Sequence, residues 1–142
     1  MNLNLKSLCL PTALAVLVAG CSSTGYDKGP YSPQPSATPA LENKEPVVLL
    51  SPGVQYSVTC TGVQERMLSD GRMEVTAQIR NRENRRIEVQ VDCVFKDANG
   101  FGTGDESPFY PLILTENATE QVSFTSLNNL ARKYTIRIRE AH

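Results

Sequence analysis

Residues 46–142 of this 142-residue chain predict an all-β fold, a small immunoglobulin-like β-sandwich. Three observations carry this. Apolar residues recur at every second position in several short runs. Turn-forming clusters separate the runs, and no stretch of useful length shows the spacing of an amphipathic helix. About seven such strands suit two packed sheets, with a small barrel as the competing arrangement.

The elements follow in order. Val54, Tyr56, Val58 and Cys60 alternate with Gln55, Ser57 and Thr59. Met73, Val75, Ala77 and Ile79 alternate with Glu74, Thr76 and Gln78. Ile87, Val89, Val91, Cys93 and Phe95 alternate with Glu88, Gln90, Asp92 and Val94. Val122 and Phe124 flank Ser123, and Tyr134, Ile136 and Ile138 alternate with Thr135, Arg137 and Arg139. In each run one face meets a core and the other meets water. Ser69-Asp70-Gly71, residues 81–85, Asp97-Ala98-Asn99-Gly100 and Glu116-Asn117 supply the turns. Pro108 and Pro111 bracket a strand over 109–114 that suits an edge or a bend, because proline cannot donate to a ladder. Residues 127–131 suit one helical turn, and Gly100, Gly102 and Gly104 suit a flexible loop.

The N-terminus is of a different kind. Lys6 precedes a charge-free, mostly apolar run over residues 8–20, the layout of a secretory signal peptide. At ~1.5 Å per residue this run spans about 20 Å, too little for a ~30 Å hydrocarbon core. It ends on Leu17-Val18-Ala19-Gly20-Cys21, which resembles the lipobox of bacterial lipoproteins. That resemblance implies cleavage after residue 20 and a diacylglyceryl group on the Cys21 thiol. Several acyl chains on one residue anchor stably where a single chain is marginal. Ser22, in place of Asp, implies sorting to the periplasmic face of the outer membrane. Residues 22–45 carry Pro30, Pro33, Pro35 and Pro39 among Ser, Thr and Gly, with few large aliphatics. Such a segment cannot offset its ordering entropy and reads as a tether. Its root-mean-square reach is roughly 25–30 Å, rising to ~75 Å when drawn out. The expected organisation is therefore a signal peptide over 1–20, a lipidated cysteine and tether over 21–45, and a sandwich over 46–142.

Charge and composition exclude several functions. Fourteen Lys+Arg stand against fifteen Asp+Glu, which is no field for collecting nucleic-acid phosphates. The one histidine, His142, is the last residue, so no Ser-His-Asp or Cys-His catalytic set can be assembled. Metal-ligand spacings are missing as well: Asp97, Asn99, Asp105 and Glu106 do not match a calcium loop, and the three glycines lack the lysine of a phosphate cradle. The expectation is a protein without catalytic residues, cofactor or metal.

Two features remain. Cys60 and Cys93 sit on the apolar faces of their runs. In an oxidising compartment a facing pair tends to close, and its loop would contribute about 3–4 kcal/mol on the chain-entropy account. The alternative is two thiols packed as small hydrophobes that never meet. Arg80, Arg82, Arg85 and Arg86 crowd what reads as one hairpin, with Arg132, Lys133, Arg137 and Arg139 near the C-terminus. Gathered on one surface they would bind an acidic partner or an anionic headgroup; otherwise they are a solvated turn with cross-strand partners such as Glu74 or Glu88.

The order of these pieces resembles a known family. A strand ends on Arg80-Asn81, a second strand leads into Asp97-Ala98-Asn99-Gly100, residues 108–114 read Pro-Phe-Tyr-Pro-Leu-Ile-Leu, and a last strand covers 133–139. This is similar to the YcfL-type periplasmic lipoprotein domain, an immunoglobulin-like sandwich behind a lipobox. The family's tryptophans are replaced here by Phe95 and by Phe109 or Tyr110. The resemblance brings no catalytic residues. The expected function is a membrane-anchored binding or assembly module for an envelope protein, with a carrier or sensor of a small lipid or glycan as the alternative.

Overall fold

The protein is described here from a computed structural model covering residues 44–141. The expected signal peptide, Cys21 and most of the expected tether lie outside the described residues.

Val47–Leu49 forms β1, and the chain then makes a single helical turn, α1 (Pro52–Ser57). Seven strands, each with an antiparallel partner, follow: β2 (Val58–Met67), β3 (Met73–Asn81), β4 (Ile87–Lys96), β5 (Gly102–Glu106), β6 (Tyr110–Leu114), β7 (Thr119–Thr125) and β8 (Lys133–Glu140). One sheet runs β2-β3-β7; the other runs β1-β8-β4, with β5 and β6 sharing the far edge of β4. β3 pairs with β7 and β4 with β8, the crossed central pairs of an immunoglobulin-like sandwich. The place beside β8 is taken by β1, which runs parallel to it.

The alternation does what it predicted. Val75, Ala77 and Ile79 from one sheet meet Val89, Val91, Cys93, Phe95, Ile136 and Ile138 from the other, and all are buried in one core. The strand over 109–114 is an edge strand, and Pro111 lies opposite Gln90 without having to donate.

Four expectations are corrected. Residues 54–57 are helical rather than extended, because Pro52 fits the first turn of a helix, where its missing N–H costs nothing. Val54 is consequently buried while Tyr56 points to solvent, although a strand would place them on one face. Residues 127–129 form bends and 130–131 are irregular, with no helical turn. The glycine loop contributes a strand, β5, entered through the Asp97 turn, where Asp97 Oδ1 accepts the amides of Asn99 (2.8 Å) and Phe101 (3.0 Å) and Gly100 takes φ +89°. The segment between Asn81 and Ile87 is not a hairpin: it carries the chain from one sheet to the other.

That crossing is organised by Asn81, which is fully buried. Its Nδ2 donates to the carbonyls of Arg85 (2.7 Å), Thr115 (2.9 Å) and Leu114 (3.3 Å). Its Oδ1 accepts the Glu83 amide (2.9 Å), and its own N–H donates to Ala118 O (2.9 Å). One side chain thus joins the end of β3, the crossover and the β6–β7 loop. Asn81→Ala is expected to destabilise the domain by about 3 kcal/mol, because it strands buried carbonyls and an amide. Asn81→Asp, nearly isosteric, should cost at least as much by turning an acceptor toward three carbonyls. Urea unfolding of both variants checks this.

Candidate interaction site

The arginines singled out in the sequence do not form one patch. Arg80 ends the exposed face of β3, opposite Thr59 and Thr119. Arg82, Arg85 and Arg86 lie exposed on the crossover, at the same end of the sandwich. Arg85 pairs with Glu83, which also accepts from Ser57 Oγ; these two partners hold the Glu83 carboxyl below its usual range, the Ser57 bond contributing most. Glu74, expected as a cross-strand partner for them, pairs with Arg66 instead. Arg85 and Arg86 border a cleft of about 280 Å³ that also meets Glu88 and Glu140.

Arg137 and Arg139 belong elsewhere, on the outer face of the β8–β4 sheet. Register places Arg137 opposite Asp92 and Arg139 opposite Gln90. Arg137 grips Asp92 with two nitrogens (Nε to Oδ1, 3.0 Å; Nη2 to Oδ2) and reaches Glu106 on β5. Arg139 Nε donates to Gln90 Oε1 (2.8 Å). Both guanidiniums lie over the Phe109 ring, at 5.3 and 3.9 Å from its centroid. Asp92 is buried, which pushes its carboxyl up, while Arg137 pulls it back down; the same pairing holds Arg137 firmly charged. The sequence placed Asp92 on a solvated face. Its burial was not legible, because it depends on Phe109 and Glu106 folding back over the sheet.

Lys133 and Arg132 lie at the other end of the sandwich, beside Lys96, whose carbonyl accepts the Arg132 amide (2.8 Å). Lys96 is itself buried, with Nζ donating to Thr135 Oγ1 (2.8 Å).

The expected disulfide is not formed: Cys60 and Cys93 are free thiols on opposite sheets. The β2 ladder slips between Cys60 and Gly62, and the Cys60 thiol turns along its own strand to Gly62 O (3.4 Å) rather than across the core. Cys93 is enclosed, and burial pushes its thiol well up. Its backbone is finished by Ser107, which donates its amide to Cys93 O (3.0 Å) and accepts the Cys93 amide on Oγ (2.8 Å). Of the oxygens weighed for calcium, Asp97 serves its turn, Asp105 accepts the Leu127 amide and Glu106 pairs with Arg137.

Two features mark the β2-β3-β7 sheet. The outer face of the β2-β3-β7 sheet is polar, with Gln64, Thr76, Gln78, Gln121 and Ser123 exposed or half-exposed. Among the described residues β7 pairs only with β3, so within them its outer edge offers N–H and C=O groups along Thr119–Thr125 without a neighbouring strand. The β7 edge starts beside Arg80, its partner in register.

Two measurements check this geometry. Iodoacetamide should alkylate Cys60 at least about a hundredfold faster than Cys93, read by peptide mass, because a buried thiol with a raised pKa reacts only through opening of the domain. Stability should also fall with alkaline pH. Burial first, and then the charge of the neighbouring Glu65 carboxylate and a hydrogen bond to it, push Tyr134 from 10.0 up to about 12. A raised acid binds its proton more tightly when folded, so this stabilisation is complete below pH 10 and lost as pH rises toward 12. Tyr134→Phe should flatten that part of the curve in urea midpoints measured against pH.

Comparison with known proteins agrees with the fold. No curated protein matches the chain. The crystal structure of Campylobacter jejuni cj0090 superposes with a TM-score of 0.58 at 17% identity, covering 68% of this chain and 98% of that one. The crystal structure of a DUF1425 family member from Shewanella sp. pv-4 gives a TM-score of 0.55 at 23% identity, covering 60% of this chain and 79% of that one. At these identities the likeness is one of fold. The family described as "Protein of unknown function (DUF1425)" matches residues 46–140, from the residue before β1 to the last residue of β8, and the chain belongs to that family.

Proposed function

We propose that this protein is a lipid-anchored module of the bacterial envelope that binds an envelope protein and catalyses nothing. Cys21 carries the lipid, residues 22–45 form the tether, and the sandwich hangs from the periplasmic face of the outer membrane. The lipobox and the similarity to YcfL-type lipoprotein domains support the address.

The open edge of β7 carries the binding reading. An extended segment of a partner can add to such an edge through main-chain hydrogen bonds, and side chains flanking it then select the partner. Here those side chains are the hydroxyls and amide of Thr119, Gln121, Ser123 and Thr125 along the strand, with Glu120 near its start and Arg80 and Arg82 at the same end. An extended segment with carboxylates at one end is the complement. The filled core favours this reading over a carrier of small lipids or glycans, which needs an apolar cavity. The clefts found on the described residues lie at the surface among polar and charged side chains.

Photo-crosslinking in living cells tests it, with the crosslinker at Gln121 or Ser123 on β7 and at Ile113 on the opposite sheet as control. One recurrent protein is expected from the β7 positions and not from Ile113. The yield should fall by about tenfold when Arg80, Arg82 and Arg86 are replaced by Ser, as rim charges steer encounter. Cys21→Ala should move the protein out of the membrane fraction. A membrane-bound protein with no recurrent β7 adduct would refute the binding role.

A further inference from the structure

We infer that the end of the sandwich where the chain enters from the N-terminal segment docks directly on an anionic phospholipid surface. This rests on the proposed anchoring for the identity of the membrane, and goes beyond it by assigning the contact to the folded domain.

Three loops meet at this end. The β7–β8 loop is tied to the β2–β3 turn through Ser126, which donates its amide to Met73 O (2.8 Å) and accepts the Met73 amide on Oγ (2.9 Å). It is tied to β5 by the bond from the Leu127 amide to buried Asp105, and to the end of β4 by the bond from Arg132 to Lys96. The Asp97 turn closes the β4–β5 loop beside them. These loops carry the largest apolar side chains left in water at this end: Leu127 is 82% exposed, Phe101 72%, Leu130 59% and Met67, at the close of β2, 50%. Loops are usually polar, and single exposed leucines need no account; three such residues on adjoining loops, with Met67 at the end of β2, do.

Cations stand beside them. Lys44, Arg132 and Lys133, with the buried Lys96, line a cleft of about 260 Å³ together with the carboxylates Glu45 and Glu65, and the Asp97 carboxylate in the adjoining turn accepts the Asn99 and Phe101 amides. Phe101 and Lys133 line an adjoining cleft, so apolar and cationic groups are neighbours. Asp70, also at this end, is neutralised by Arg72 (2.6 Å). Apolar tips with Lys44, Arg132 and Lys133 beside them match an interface of acyl chains beneath anionic headgroups.

The covalent path selects this occupant. Pro46 O accepts the Ile136 amide (2.8 Å) and Glu45 O accepts from Thr135 Oγ1 (3.4 Å), so the chain joins the sandwich at the start of β8, at the loop end. A lipid on Cys21 is therefore linked to this end by only the residues between 21 and 44. The arginine crossover and Tyr56, 79% exposed, lie at the far end.

The chain contains no tryptophan, so a single introduced one reports its surroundings without background. The full-length protein purified from membranes is reconstituted in vesicles of phosphatidylethanolamine and phosphatidylglycerol with brominated acyl chains. Leu127→Trp, Leu130→Trp and Phe101→Trp are compared with Tyr56→Trp. The loop tryptophans should shift to the blue and lose about half their emission to bromine, while Tyr56→Trp stays water-like. Replacing phosphatidylglycerol by phosphatidylcholine, or Arg132 and Lys133 by Gln, should reduce the quenching. Water-like, unquenched emission at all three loop positions overturns the inference, as does equal quenching at Tyr56→Trp. A blue shift that persists without vesicles assigns the loops to a protein partner and overturns it too. The mass of the Cys21 peptide reads the anchor separately. If it is unlipidated and added vesicles still quench the loops, the docking stands and the anchor falls; a lipidated chain with unquenched loops gives the reverse.

Discussion

The buried amide of Asn81 ties the end of β3 in one sheet to the crossover and to the end of β6 in the other. A sandwich needs its strands to change sheets, and each change takes the backbone through a place where no ladder can satisfy it. At the β3–β4 crossover the carbonyls of Arg85, Leu114 and Thr115, the last of which also accepts the Ala118 amide, converge on one nitrogen. An amide is the side chain that can donate to those carbonyls and accept the Glu83 N–H in the same place, because it carries both a donor and an acceptor group. Everything at that end inherits its position from this node: the exposed arginines, the helical turn α1, whose Ser57 carbonyl accepts the Arg82 amide at 2.8 Å, and the start of β7.

The outer face of the β8–β4 sheet shows a different economy. An antiparallel sheet can leave one face in water, but here Asp92 is buried on that face and Arg137 nearly so. Burying one charge alone would be costly; burying the pair under a shared aromatic ring, with a second carboxylate from Glu106, compensates the desolvation in place. The pair also fixes β5, a short strand with two glycines, against β4. It is structural, and it removes Arg137 and Arg139 from any common surface with the crossover arginines.

The domain therefore has two ends of different character. One bears exposed arginines and the start of an open strand edge. The other bears apolar loop tips, lysines and the entry of the chain. That polarity accords with the proposed module, held at a membrane by one end and presented to a partner along β7 and its arginine-bearing start.

Much of this was legible in the sequence, and the rest was not for definite reasons. Alternation determined the core: Val75, Ala77, Ile79, Val89, Val91, Ile136 and Ile138 are buried as the period of two requires, since side chains of a strand must point alternately to opposite faces. The Asp97 turn and the edge position of Pro111 followed from the backbone chemistry of single residues. Alternation misled at Val54 and Tyr56, where a proline opened a helical turn. Only the tertiary structure decided which strands pair. Register set Arg137 against Asp92, the crossing of sheets separated the arginines, and the slip at Cys60 turned its thiol away from Cys93. Those facts depend on contacts between residues far apart in the chain, which a local period of two cannot encode.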